Sequence, residues 1–392
     1  MIVKPRTREF ICTTAHPVGC EESVRIQAEY ARKNPVSEGP KRVLVIGSSG
    51  GYGLASRIMA CFGCNADTIG VHFDKAPTGT RTGTSGFYTT RAFDQFAQKE
   101  GRLSISINGD AFSKDIKAEV MESIKRLPGG QVDCVVYSLA APRKTDAETG
   151  KVYSSVIKPI GEPFEEKSVN VNTGEISRAK VMPANEAEIE DTIAVMGGSD
   201  WKEWIELLLE NNMLAQGACT LAYSYIGPKQ TYAIYTNGTI GRAKQDLEKT
   251  ADALSDTLKA ISGKAFVSVN KALVTQSSSA IPVVPLYIML LYKVMKESGL
   301  HEDCIEQAQR LFARLYGAED FASVPVDEKG RIRLDDYEMK PEVQEKVAKL
   351  LNEVTSENID ELADRQGYQD AFLQIFGFCI PNVDYEADVD IM

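Results

Sequence analysis

Residues 41–63 read KRVLVIGSSGGYGLASRIMACFG, and the fold turns on them. The segment KRVLVIG, residues 41–47, is a short run rich in β-branched side chains, the composition of a strand. A glycine-rich SSGGYG follows at once, and then a stretch with the apolar spacing of a helix. Glycine allows a sharp turn and a close approach of backbone to a diphosphate, while the N-terminus of the next helix offers unpaired N–H groups and a positive dipole end. The strand before and the helix after raise this string above a chance glycine cluster. Its spacing is not the strict G-x-G-x-x-G, and it lacks the Lys-Ser/Thr ending of an ATP-binding P-loop, which argues against a kinase or ATPase. A dinucleotide resting on Ser48, Ser49, Gly50, Gly51, Tyr52 and Gly53 is the expectation; the alternative is a turn that joins strand to helix without a ligand.

Working outward, further short apolar runs appear at DTIGVHF, RLSISI, VDCVVYSLA, ACTLAYSYIG and KAFVSVN, separated by helical stretches such as residues 113–127 and 239–261. This alternation predicts an α/β protein: a Rossmann-type, doubly wound parallel sheet with right-handed crossovers. In such a sheet the ligand lies along the carboxyl ends of the strands. The second strand ends at Phe73 and Asp74, where a carboxylate accepts hydrogen bonds from the adenosine ribose and repels a 2′-phosphate, favouring NADH. Lys75 beside it keeps NADPH open. Asp110 and Ala111, and then Leu139 and Ala140, close later strands where adenine and the nicotinamide ribose are expected.

One enlarged domain over residues 1–392 accommodates the whole pattern, opening with an N-terminal hairpin. Residues 41–140 form the dinucleotide-binding half and 216–300 the catalytic half. Between them, 141–215 read as an insertion on the substrate side, with hairpins expected at TGKVYSSVIKPIG and KSVNVNTGEI and a helix over 200–214 burying Trp201, Trp204, Ile205 and Leu208. Residues 301–392 read as an acidic, helical extension. The apolar run 280–292 is too short and too interrupted by proline to cross a bilayer, and reads as a buried helix beside a pocket.

Net charge is −11, from 44 Lys plus Arg against 55 Asp plus Glu, which excludes a general affinity for nucleic acid or an anionic membrane surface. The first residues lack a signal-peptide apolar run, so a cytoplasmic address is expected. The 8 cysteines show no framework spacing, and the close pair Cys61 and Cys64 reads as two small apolar positions on the first helix. His16, His72 and His301 have no metal-ligand or triad partner at an informative spacing, and no metal is expected.

The chemistry is expected from YTNGTIGRAK, which carries Tyr235 and Lys244. A tyrosine hydroxyl can hydrogen-bond a substrate carbonyl while a lysine holds the nicotinamide ribose and assists the phenol electrostatically. Nine positions along one straight helix turn about 900°, placing the two side chains on opposite faces. The helix should therefore begin after Gly238, capped by Thr239, with Tyr235 on an irregular turn. Tyr225, at the end of the fifth strand, is a second phenol within reach of the same pocket.

These strings in order, together with MIVKPRTREFICTTAHPVGC, INGDAF, VYSLAAPR, VMGGSDW and SVNKALVTQSSSAIPVVPLY, run end to end. The sequence resembles the trans-2-enoyl-CoA reductase and FabV-type enoyl-acyl-carrier-protein reductase family, an enlarged branch of the short-chain dehydrogenase/reductases. The spacing of eight residues between Tyr235 and Lys244 separates that family from shorter-spaced relatives. The resemblance implies a proton-donor role for Tyr235, substrate contact for Tyr225, and cofactor contacts at Ser48 to Gly53, Phe73, Asp74, Asp110, Ala111, Leu139, Ala140, Lys244, Leu273, Val274 and Thr275. It also implies NADH as cofactor, an enoyl-CoA or enoyl-carrier-protein thioester as substrate, and a monomer; Asp74 stands where family members often carry Glu. The loop 275–285 and its helix are expected to form the acyl pocket. The rival readings are a ketoreductase or alcohol dehydrogenase, which uses the same Tyr and Lys, and a dinucleotide-binding protein without catalysis.

Overall fold

Val43, Leu44, Val45 and Ile46 are all fully buried in the computed structural model, because helices cover both faces of the strand they form. That strand, β1 (Arg42–Ile46), sits inside a seven-stranded sheet. Its companions are β2 (Asp67–His72), β3 (Ser104–Asn108), β4 (Val132–Tyr137), β5 (Leu214–Ser224), β6 (Lys264–Val269) and β7 (Ile332–Arg333). All pairs are parallel, in the order β7-β6-β5-β4-β1-β2-β3. The winding reverses between β1 and β4, and their carboxyl ends open the crevice where ligands of such sheets lie. The structure describes residues 1–8, 11–276, 278–281 and 283–392. Glu9 and Phe10 of the N-terminal hairpin, and Ser277 and Pro282 of the expected acyl-pocket loop, lie outside them.

One face of the sheet carries α1 (Pro17–Lys33), α2 (Gly51–Ile58) and α3 (Ser85–Lys99); the other carries α4 (Lys114–Ile124) and two more helices. Between α4 and those two comes α5 (Glu186–Met196), followed by α6 (Ser199–Glu210) and α7 (Thr239–Leu258). Trp201, Trp204, Ile205 and Leu208 are fully buried, as their spacing on α6 requires. A third core gathers around α8 (Val284–Glu297), packed by α10 (Pro341–Glu353) and α12 (Arg365–Gln374); α9 (Cys304–Tyr316) joins the first face and α11 (Ile359–Leu362) lies between α10 and α12. Among the described residues no helix is long and apolar enough to cross a membrane.

Several boundaries differ from the sequence expectation. The helix expected to run to Leu214 stops at Glu210, and Leu214 instead opens β5, whose register shifts between Leu214 and Cys219 as Gly217 takes φ +72. Cys61 lies not on an α-helix but in a π-helical turn, Met59–Gly63, that widens the end of α2. Burial pushes the Cys61 and Cys64 thiols up to about 12, so both stay protonated and behave as apolar groups. In the insertion, Arg143–Thr145 pairs with Val152–Ser154 and Phe164–Val169 with Ile176–Val181, both antiparallel. Two elements are additional to the expectation: the 17-residue helix α1 near the N-terminus, and β7, for the C-terminal segment is not purely helical and its short strand extends the sheet beside β6. Two residues cannot carry a periodicity, so nothing in the pattern announced it.

Candidate active site

The glycines after β1 divide into two kinds. Gly47 takes φ +87, and a Cβ there would fall 2.3 Å from the Ser138 carbonyl oxygen; one on Gly53 would fall 1.9 Å from the Gly47 carbonyl oxygen. These two let strand, turn and helix pack against each other. Gly50 and Gly51 have no atom within 4 Å of a Cβ position, and both line a cavity of about 410 Å³. Gly50 is the N-cap of α2 and supplies no side-chain cap, so the first-turn N–H groups remain available to an anion. An open glycine cradle at a helix N-terminus fits a dinucleotide diphosphate. Ser48 faces inward instead, its Oγ donating to the Val71 carbonyl at 3.1 Å, while Ser49 and Tyr52 line the cavity. The Tyr52 hydroxyl donates to the Lys271 carbonyl at 3.0 Å.

At the end of β2 the Asp74 carboxylate is held from two sides. His72 Nδ1 lies 3.0 Å from Oδ2 and the Thr84 hydroxyl donates to Oδ1 at 2.7 Å. Burial pushes this carboxyl up, but hydrogen bonds from His72, Thr84 and Ser49 outweigh it and hold it below its ordinary value. A fixed anion on the cavity wall is what a ribose diol needs. The sequence assigned His72 no partner, yet an i,i+2 pair on one strand face supplies one. Phe73 points into solvent, 79% exposed. Asp110 and Ala111 do not line the cavity: Asp110 closes a turn, accepting from the Phe112 N–H at 3.0 Å and from Ser113, and Ala111 is buried in the second face's core. Leu139, Ala140, Leu273, Val274 and Thr275 all line it.

Tyr235, Lys244 and Tyr225 converge on the same cavity. Between 225 and 238 the chain makes a short 3-10 turn at Lys229–Thr231 and is otherwise irregular, and α7 starts at Thr239, as the spacing demanded. Its N-cap, however, is Gly238, without a side-chain cap. The expected capping hydroxyl of Thr239 instead donates to the Val156 carbonyl at 2.5 Å, tying the insertion to α7. The rings of Tyr225 and Tyr235 meet edge-on at 4.8 Å. Tyr235 is buried, which holds its hydroxyl protonated, and that hydroxyl has no hydrogen-bond partner among the described residues. Lys244 Nζ donates to the Tyr223 carbonyl at 2.9 Å, and burial lowers its pKa to about 8 against the opposing charge of Glu248.

Around these lie residues that the sequence did not single out. Val195 and Met196 at the end of α5, Ile288 of α8, Gln374 at the end of α12 and Ile375 just after it close the cavity wall, and Glu338 stands fully buried behind Tyr225. Apolar side chains in amphipathic helices carry no mark distinguishing a cavity wall from ordinary core.

Three family models cover most of the chain. Residues 81–316 match the trans-2-enoyl-CoA reductase catalytic region and 2–79 the NAD(P)H-binding domain of trans-2-enoyl-CoA reductase. The chain belongs to the trans-2-enoyl-CoA reductase family. This family member is 56% identical over its full length to an NADH enoyl-[acyl-carrier-protein] reductase of Flavobacterium johnsoniae, covering 98% of it. It is 51% identical to an NADH trans-2-enoyl-CoA reductase of Clostridium perfringens, covering 100% of this chain and 99% of that protein. Among solved structures it resembles the trans-2-enoyl-CoA reductase of Treponema denticola in complex with NAD, with a TM-score of 0.95 and 49% identity over 99% of this chain and 98% of that one. Residues 326–389 match a model described as an enoyl reductase FAD-binding domain. In this reductase they do not fit a flavin: they form β7 and α10 to α12, have no strand, glycine turn and helix in succession, and give the cavity only Gln374 and Ile375.

Proposed function

We propose that this enzyme reduces the C2=C3 double bond of trans-2-enoyl thioesters with NADH, and that Tyr235 and Lys244 carry the chemistry. The observation on which this rests is the Tyr235 hydroxyl, without a hydrogen-bond partner among the described residues, in a cavity that also holds Lys244, Asp74 and the open glycines. Ser49 to Tyr52 and the α2 N-terminus would hold the diphosphate, and Asp74 the adenosine ribose. NADH supplies a hydride to the β-carbon when bound. Tyr235 then donates a hydrogen bond to the thioester carbonyl oxygen as negative charge grows on it, and a proton taken up at the α-carbon completes the reduction. Lys244 adds a cation at the ribose and phenol. One well-placed donor against a developing oxyanion is worth about 3–4 kcal/mol. Tyr225 contacts the substrate, and Leu273, Val274, Ile288 and Met196 supply apolar wall for the acyl chain.

Tyr235→Phe should lower kcat on the order of 10²–10³-fold while NADH affinity, read by fluorescence titration, changes by less than about threefold. Equal losses of turnover and NADH affinity would contradict the assignment. NADH oxidation with crotonyl-CoA against acetoacetyl-CoA separates this reading from a ketoreductase. The net charge of −11 does not favour an acidic carrier protein, so a CoA thioester is the preferred substrate form. Rates on crotonyl-CoA and crotonyl-carrier protein test that preference, and light scattering tests the monomeric state that the family resemblance implies.

A further inference from the structure

One buried carboxylate has no part in the reaction above and yet reaches into its machinery. Glu338, five residues beyond β7, is fully buried. Its Oε1 accepts from the Tyr225 hydroxyl at 2.9 Å and the Tyr287 hydroxyl at 2.7 Å, and its Oε2 accepts from the Ala272 N–H at 2.6 Å. Gln344 Nε2 donates in turn to the Tyr287 oxygen at 3.1 Å. Burial raises the Glu338 carboxyl above its ordinary value, while the hydrogen bonds from Tyr287 and Ala272, the charge of buried Lys271 and the hydrogen bond from Tyr225 act against that rise and favour the ionised form. All three direct contacts are donors, the set that suits an acceptor-only carboxylate. A phenol has one proton to give, so the Tyr225 proton is committed to Glu338. Tyr235, edge-on to Tyr225 at 4.8 Å, has no such claim on its proton among the described residues.

We propose that Glu338 is a positioning residue that divides the work of the two phenols: it holds the Tyr225 proton, so that Tyr225 offers the substrate only its ring and oxygen, and Tyr235 alone donates. The inference rests on the reading of Tyr235 as donor. It also explains why two tyrosines can face one cavity without competing for one carbonyl oxygen. Ala272 lies beside Leu273 to Thr275, so the same carboxylate fixes the loop that lines the cavity.

Glu338→Gln preserves shape but reverses polarity on one arm. Its amide oxygen can satisfy the Ala272 N–H, which turns the NH2 group toward the phenols; Tyr225 and Tyr287 then accept, and the Tyr225 proton is released toward the cavity. The experiment places Glu338→Gln in the Tyr235→Phe background and follows crotonyl-CoA reduction. We expect the double variant to turn over at least about tenfold faster than Tyr235→Phe, and the gain to vanish when Tyr225→Phe is added. A purely structural role for Glu338 predicts further loss, not gain. A double variant that binds NADH and is no faster than Tyr235→Phe overturns the proposal. Should the double variant fail to bind NADH, Tyr225→Phe with Glu338 intact decides: its defect should fall in KM with kcat within about tenfold of the parent, and a kcat as low as that of Tyr235→Phe overturns the proposal. Parental turnover in Tyr235→Phe itself would remove the underlying reading, and this inference with it.

Discussion

Raising the pH should switch this enzyme off through Lys244. The side chain is half-buried, its Nζ has one hydrogen-bond partner among the described residues, the Tyr223 carbonyl, and desolvation lowers its pKa from 10.5 to about 8. With the ammonium as the working form, its population near pH 9 is roughly a tenth of that at pH 7, and kcat/KM should fall in proportion. The assay is NADH oxidation with crotonyl-CoA from pH 6 to about 9, with kcat/KM reporting the free enzyme. Lys244→Arg keeps its charge across this range and should flatten the limb, at whatever absolute rate it retains. Stability moves the opposite way. A base whose folded pKa lies below its unfolded one destabilises the fold; the penalty is complete below pH 8 and fades as pH rises toward 10.5. At neutral pH that burial costs about 3 kcal/mol, so Lys244→Met should unfold at higher denaturant than the parent while losing activity. A parental profile that stays flat to pH 9, or an identical limb in Lys244→Arg, refutes the reasoning.

The glycine loop separates packing from binding. Gly53→Ala drives a Cβ against the Gly47 carbonyl and should cost about 1–3 kcal/mol or more, read as a fall in melting temperature. Gly50 has extended backbone, φ −159, and open space at its Cβ position, so Gly50→Ala should melt with the parent yet bind NADH at least about tenfold more weakly, because the methyl occupies the diphosphate cradle. If both variants lose stability and affinity together, the two glycine classes are not distinct. Asp74→Ser removes the anion that repels a 2′-phosphate; the NADPH-to-NADH ratio of kcat/KM should rise by about tenfold or more, and an unchanged ratio would assign cofactor choice elsewhere.

Much of this was written locally in the chain. The run at β1 with its glycines, the alternation of short apolar runs with helices, and the forced break between Tyr235 and Lys244 each follow from backbone geometry and side-chain periodicity, which act over a few residues. The sequence thereby determined the parallel sheet, its carboxyl edge as the site, the buried face of α6 and the cavity placement of Tyr225, Tyr235, Lys244 and Asp74. Tertiary structure decided what depends on distant partners. Thr239 looks like a cap, but Gly238 caps α7 because the Thr239 hydroxyl is taken by the insertion. Two residues of β7 become a strand only because the β6 edge is there to pair with them. Glu338 sits in an acidic C-terminal stretch like many surface carboxylates, and only the packing of that stretch against α8 and the 271–275 loop buries it between two phenols. Hydrogen bonds spanning 113 and 51 residues leave no local trace, because the chain entropy separating such groups is overcome only by the assembled core.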